Sequence, residues 1–204
     1  MMIGVTGAHR VGKSTLCKAF AESCGLPFVQ TDVSGVFVEL GLDPKEDYDF
    51  DIRLMIQGRI LALMSKTFEG APSRFITDRT PIDLLAYTLA DVRRTNLSPE
   101  RVGCLMAYSD ACFRVVNRHF SSLVVVQPGI KLVEAEGKAP ANPAYIEHIN
   151  SLIMGLAADE RCKATKHYMS RSATDLSERV MGLHRVLLGV EKRHEEVVRR
   201  VAIH

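Results

Sequence analysis

Residues Gly7-Ala8-His9-Arg10-Val11-Gly12-Lys13-Ser14-Thr15 satisfy the pattern GxxxxGK[ST] at every specified position. A chance match somewhere in a chain of this length is on the order of one per cent. Glycines let a backbone curl tightly enough to aim successive N–H groups at an anion, and a helix beginning at the end of the loop adds its positive pole. Gly7, Ala8, Val11, Gly12, Lys13, Ser14 and Thr15 are therefore expected to cradle a polyphosphate. Lys13 is expected to reach the β- and γ-phosphates as a point charge, and the Ser14 hydroxyl to ligate Mg²⁺. His9 and Arg10 occupy unspecified positions and are expected to project to solvent.

Two further sites carry chemistry-bearing side chains. Phe75-Ile76-Thr77-Asp78-Arg79-Thr80-Pro81 puts an acid and an arginine at the carboxyl end of a short β-rich run, where ligands sit in open α/β sheets. Asp78 is a candidate for holding Mg²⁺ or for accepting the proton of an attacking hydroxyl, and Arg79 for clamping a phosphoryl group; the competing reading is an Asp–Arg pair capping the next helix. Asp32, ending Val29-Gln30-Thr31-Asp32, competes for the role of general base, against an equal expectation that it caps a helix over Val33–Leu40. The segment from Gln127 to Lys138 carries Lys131 and Lys138 and reads as a cover over the phosphates or as an ordinary surface loop.

These residues need a scaffold, and the chain alternates accordingly. Apolar, β-rich runs at Ile3–Thr6, Phe28–Thr31, Phe75–Thr77, Ser122–Gln127 and Thr165–Met169 predict five strands. Helical patterns fall between them: Lys13 to Ser23, segments up to Phe68, Pro81 to Arg94, Pro99 to His119 and Pro143 to Ala158. A long amphipathic helix from Thr174–Asp175 to Val201 follows, with Leu176, Val180, Leu183, Leu187 and Val190 on one face. Strands joined by crossover helices predict a three-layer α/β fold with a mostly parallel five-stranded sheet, in one domain over residues 1–204.

Composition narrows the class. The chain is 47% hydrophobic and 25% charged with a net charge of +2, the balance of a globular domain. The charge is unevenly spread: residues 31–51 sum to −6 and residues 53–131 to +5. Five cysteines without a CxxC pair fit neither a disulfide framework nor a zinc site, and point to a reducing cytoplasm. The opening residues lack the features of a targeting segment, and no apolar run reaches the length of a membrane span. Elements of other nucleotide-dependent classes are missing: no NKxD, no LSGGQ, and the only apolar run ending in Asp-Glu, Leu156–Glu160, lies in a helical pattern.

The stretches IGVTGAHRVGKSTL (Ile3–Leu16), FVQTD (Phe28–Asp32), FITDRTPIDLLAYT (Phe75–Thr88) and TDLSERV (Thr174–Val180) resemble the small P-loop nucleoside and nucleotide kinases. The resemblance is to the kinase-like ATPase family that holds the ribosylnicotinamide kinase domain and many phage proteins. It implies ATP with Mg²⁺ and γ-phosphoryl transfer to a hydroxyl or phosphate of a nucleoside or nucleotide acceptor. Lys13 and Ser14 would serve the donor, Asp78 and Arg79 the acceptor and transferred group, and Asp32 the same side. No arginine-rich lid of the nucleoside monophosphate kinases is seen. Phage relatives that phosphorylate 5-hydroxymethyluracil in DNA make DNA an alternative acceptor, with Arg93, Arg94, Arg101, Arg114 and Arg118 as backbone contacts. A nucleotide-dependent ATPase without an acceptor is a third reading, and a homodimer through the last helix is compatible with the pattern.

Overall fold

A computed structural model describes residues 2–44, 46–92, 97–133 and 141–202. The strands are β1 (Met2–Thr6), β2 (Phe75–Thr77), β3 (Ser122–Val126) and β4 (Thr165–Met169). The helices are α1 (Lys13–Cys24), α2 (Val33–Leu40), α3 (Phe50–Glu69), α4 (Pro81–Ala90), α5 (Pro99–His119), α6 (Pro143–Ala158) and α7 (Leu176–Ala202). The strands form one parallel sheet in the order β2-β1-β3-β4. The chain leaves β1 toward one edge and returns past it to β3, so the topological switch point lies between β1 and β3. In open parallel sheets the carboxyl ends at that point are where ligands bind.

Right-handed crossovers put α1 on one face and α4, α5 and α6 on the other. Packing agrees: α7 lies against α1, while α4 contacts α3, α5 and α6. Every residue of β3 is buried, as its run of Leu123, Val124, Val125 and Val126 predicts for a central strand covered on both faces. The edge strand β4 carries Lys166 and His167 and is mostly part-exposed.

Among the described residues the sheet has four strands, not five. Of the expected Phe28–Thr31 strand, only Phe28 bridges to Ile76, held by Val29 N–H to Ile76 O at 2.9 Å and Ile76 N–H to Pro27 O at 3.0 Å. The chain then turns into α2, with Val33 N–H donating to Thr31 O, and no residues remain for a ladder. Helix α4 stops at Ala90 rather than Arg94, with the Asp91 N–H closing its last turn onto Tyr87 and Thr88 carbonyls. Arg93 and Arg94 lie outside the described residues.

The two charge blocks meet in space. Arg53 pairs with Asp47 and Arg101 with Asp51, so two bases of the positive stretch meet acids of the negative one at the surface; Arg53 also pairs with Asp91 of its own stretch. The cysteines are free thiols; Cys17, Cys112 and Cys162 are buried, while Cys104 is exposed.

His119, at the end of α5, is 5% exposed, packs edge-on against Phe68, and leaves its Nε2 buried without a hydrogen-bond partner. Burial, helped by neighbouring Arg118 and opposed by Glu69, holds its pKa below the usual histidine value. His167 is lowered the same way, by burial and then by Arg193. Both are favoured neutral in the fold, so the unfolded chain binds protons that the folded protein does not. Stability is expected to fall as pH drops below about 6.5 toward the depressed folded values. Urea midpoints at pH 7.5 and pH 5 measure this, and His119→Leu should flatten the difference; equal slopes in wild type and variant would refute the assignment.

Candidate active site

The GxxxxGK[ST] segment joins β1 to α1 at the carboxyl edge, beside the switch point. Gly7 approaches β3 so closely that a Cβ there would lie 2.5 Å from the Val126 carbonyl oxygen. Gly12 has φ +79°, and Arg10 is the one non-glycine with positive φ among the described residues, at +62°. Left-handed residues alternating with others curl the backbone so that its N–H groups converge on a concavity, the geometry of an anion nest. Lys13 folds back over this loop, its Nζ donating to Gly7 O at 2.6 Å and Ala8 O at 2.8 Å. Burial is the main cause that lowers its pKa, with Arg79 adding to the effect and Asp83 and Asp78 opposing it. Ser14 and Thr15 are exposed at the first turn of α1.

The loop is fastened from α4. Asp83, 3% exposed, accepts from the Gly7 N–H at 2.9 Å through one oxygen. Through the other it accepts from the Thr80 N–H at 2.7 Å and the Thr80 hydroxyl at 2.9 Å. One carboxylate thus ties the start of the GxxxxGK[ST] loop to the turn after β2. One helical turn further, the Tyr87 oxygen accepts from the His9 N–H at 2.9 Å and lies 2.9 Å from His9 Nδ1. His9 also packs near Tyr145, and Arg10 donates to the Val133 carbonyl, so neither loop side chain simply projects to solvent.

A third fastening comes from α7. Arg179 is 4% exposed, and its Nη2 donates to Val11 O at 2.7 Å. A Cβ at Gly12 would lie 2.9 Å from its Nη1. Beneath the loop, burial raises the pKa of Cys17 well above the usual thiol value, with contributions from Asp78 and Asp83 opposed by Lys13 and Arg179.

Asp78 directly follows β2 and is partly exposed, with no hydrogen bond or ion pair among the described residues. Arg79 is exposed beside it. Capping of α4 falls instead to Thr80 and Asp83, which leaves Asp78 and Arg79 unused by the helix. Asp32 is the N-cap of α2, its Oδ1 accepting from Gly35 N–H at 3.0 Å, and is exposed. Lys131 is exposed; Lys138 lies outside the described residues.

Asp83, Tyr87 and Arg179 were not among the expected site residues, yet two of them leave a trace in the sequence. Asp83 stands three residues after the helix-capping Thr80, the position of the reciprocal acid in a capping box. Arg179 falls four residues before Leu183, on the apolar face of an amphipathic helix, where a charge requires a partner.

A parallel sheet flanked by helices, with this loop following one of its two inner strands, is a P-loop fold. No family model matches the chain, and no curated protein is similar to it. Among solved structures, deoxyadenosine kinase from M. mycoides superposes with a TM-score of 0.66 at 14% identity, covering 93% of this chain and all of that one. Thymidylate kinase from Candida albicans gives 0.62 at 11% identity, over 93% of this chain and 92% of that one. NadR gives 0.60 at 14% identity, over 90% of this chain and 48% of that one. At these identities the likeness is one of fold. No helix among the described residues is long and apolar enough to cross a membrane.

Proposed function

We propose that this chain is a phosphotransferase that moves the γ-phosphoryl group of ATP to a hydroxyl or phosphate of a nucleoside- or nucleotide-like acceptor. The observation that carries the reading is the pairing of two features at one sheet edge: the loop with Lys13 folded across it, and Asp78, free of hydrogen bonds among the described residues, at the end of the adjacent strand. The neighbours in fold include deoxyadenosine kinase with bound dATP and NadR with NAD and AMP-PNP, which supports a nucleotide donor and a nucleoside-like acceptor.

Transfer needs the acceptor oxygen to bond to the γ-phosphorus as the bond to the β,γ-bridging oxygen breaks, with ADP leaving. Lys13 and the N–H groups of residues 7–15 hold the phosphates and stabilise the charge that develops on them. The Asp78 carboxylate takes the acceptor's proton, and Arg79 steadies the transferring group. Mg²⁺, when bound, would neutralise phosphate charge. The donor set fits it, because this ion keeps most of its shell as water and phosphate oxygens, and the exposed Ser14 and the partly exposed Asp78 each offer an oxygen. Among the described residues no cluster of three acids, histidines or cysteines could hold a metal unaided. Asp78 is preferred to Asp32 as base because one Asp32 oxygen is engaged at the cap of α2.

Support for a DNA acceptor is weaker. Of the arginines that would follow a DNA backbone, Arg101 pairs with Asp51 and Arg118 with Glu69.

Incubation with γ-labelled ATP and, in turn, nucleosides, nucleotides, and DNA with or without 5-hydroxymethyluracil tests the proposal. Label is expected in a free nucleoside or nucleotide. Label in modified DNA alone would replace the acceptor, and label only in inorganic phosphate would overturn the transferase reading. Asp78→Asn is expected to lower acceptor turnover about 10²- to 10⁴-fold with ATP affinity retained; unchanged turnover would move the base to Asp32.

A further inference from the structure

Arg179 is a buried guanidinium with no carboxylate partner among the described residues. Its contacts are the Val11 carbonyl and, through Nε, the Met169 sulfur at 3.3 Å. Burial lowers its pKa, yet a guanidinium stays protonated in proteins. A buried, unpaired cation is costly, and it is placed here against two residues of an anion-binding loop. The contact has a geometric consequence. In a trans peptide the C=O and the next N–H point in opposite directions. A donor that holds the Val11 carbonyl therefore turns the Gly12 N–H away from Arg179. The Val11–Gly12 peptide is also the hinge of the loop's curl, since Gly12 adopts the left-handed conformation that starts α1.

We propose that Arg179 is a positioning residue of the phosphate site: by holding the Val11 carbonyl it fixes the Val11–Gly12 peptide with its N–H toward the bound phosphates, making α7 part of the nucleotide-binding apparatus. The proposal rests on the phosphate-binding reading of residues 7–15. The phosphates would also supply the negative charge that the guanidinium lacks, so binding of a polyanion relieves the strain of burying it. The N-terminal turn of α7, Leu176 to Arg179, is thereby tied to a loop 168 residues earlier in the chain.

The test uses the full chain with inorganic tripolyphosphate and ATP as probes, in calorimetric titrations and thermal unfolding. Arg179→Met replaces the buried charge with an apolar side chain of similar reach, and is expected to leave the unliganded melting temperature within a few degrees of wild type. Tripolyphosphate and ATP should bind it about 10- to 100-fold more weakly, the scale of one charge-assisted hydrogen bond. Arg179→Lys keeps a donor for the Val11 carbonyl without the planar fork, and should recover part of that loss. A folded Arg179→Met protein that binds tripolyphosphate as tightly as wild type would overturn the proposal. Should the methionine variant fail to fold, unchanged hydrogen exchange of the Gly12 N–H in wild-type protein on binding tripolyphosphate would overturn it as well, because the proposal aims that group at the phosphates. Wild-type protein that binds neither probe would instead refute the phosphate-loop reading itself, which separates the two failures.

Discussion

Lys13→Ala is expected to lower kcat/KM for phosphoryl transfer by about 10³-fold or more, while the protein stays folded. The side chain's Nζ is the one ammonium that reaches the loop's interior carbonyls, at Gly7 and Ala8. A donor aimed at charge that develops in a transition state is worth about 3–4 kcal/mol when removed. Its depressed proton affinity, caused mainly by burial, means that the fold bears a cost for holding this charge. Deleting it relieves that cost but leaves the carbonyls of Gly7 and Ala8, both buried, without this donor, so the two effects offset and stability should change by less than about 2 kcal/mol. Lys13→Arg should not rescue activity, because a planar fork on a longer stem does not fit a site built for a compact cation. Kinetics with saturating acceptor, set beside urea unfolding of the same variants, give both readouts. Retained transfer in Lys13→Ala would refute the assignment of residues 7–15 as the donor site.

The largest stability effect is expected at Asp83. Its carboxylate accepts three hydrogen bonds in a buried setting, from Gly7 N–H, Thr80 N–H and the Thr80 hydroxyl. Asp83→Ala strands two buried backbone donors and a hydroxyl, each worth about 1–3 kcal/mol when left unmet. Some of that is recovered by removing a buried charge, and a net loss of about 3–5 kcal/mol follows, at the upper end for single substitutions. Nucleotide affinity should fall as well, because Gly7 would no longer be anchored where its close approach to Val126 sets the start of the loop. Asp83→Asn should lie between the two, since the amide keeps one acceptor and turns a donor toward another donor. Urea midpoints and ATP titrations check both effects; wild-type stability with wild-type affinity in Asp83→Ala would show that α4 does not hold the loop.

These two residues differ in how openly the sequence declares them. Lys13 stands in a pattern whose every specified position is local, within nine consecutive residues. Asp83 acts on a residue 76 positions away, and nothing around Gly7 names its partner. What the sequence does show at Asp83 is an acid inside an almost wholly apolar helix start, Pro81-Ile82-Asp83-Leu84-Leu85-Ala86, where a charge must find donors. Arg179 declares itself the same way on the apolar face of α7. The fifth strand misled for a related reason: the β-rich composition of Phe28–Thr31 is real, but strand formation requires a length of ladder, and the turn into α2 ends it after one bridge. The opposed charge blocks were legible as sums; that Arg53 and Arg101 reach acids of residues 47–51 was not.

By itself the sequence determined the GxxxxGK[ST] loop, its place between a strand and a helix, the alternation that makes a parallel α/β sheet, and Asp78 at the carboxyl end of a strand. All of these follow from periodicity, backbone permissiveness and short-range spacing, which act within a few residues. The tertiary structure alone decided which helices hold the loop in shape. Hydrogen bonds accepted by Asp83 and Tyr87 and donated by Arg179 cross 76, 78 and 168 residues of chain and form only once the helices have packed on the sheet. Burial of polar groups is what selects them, because in a closed core each donor must meet an acceptor, and the packing determines which one is near.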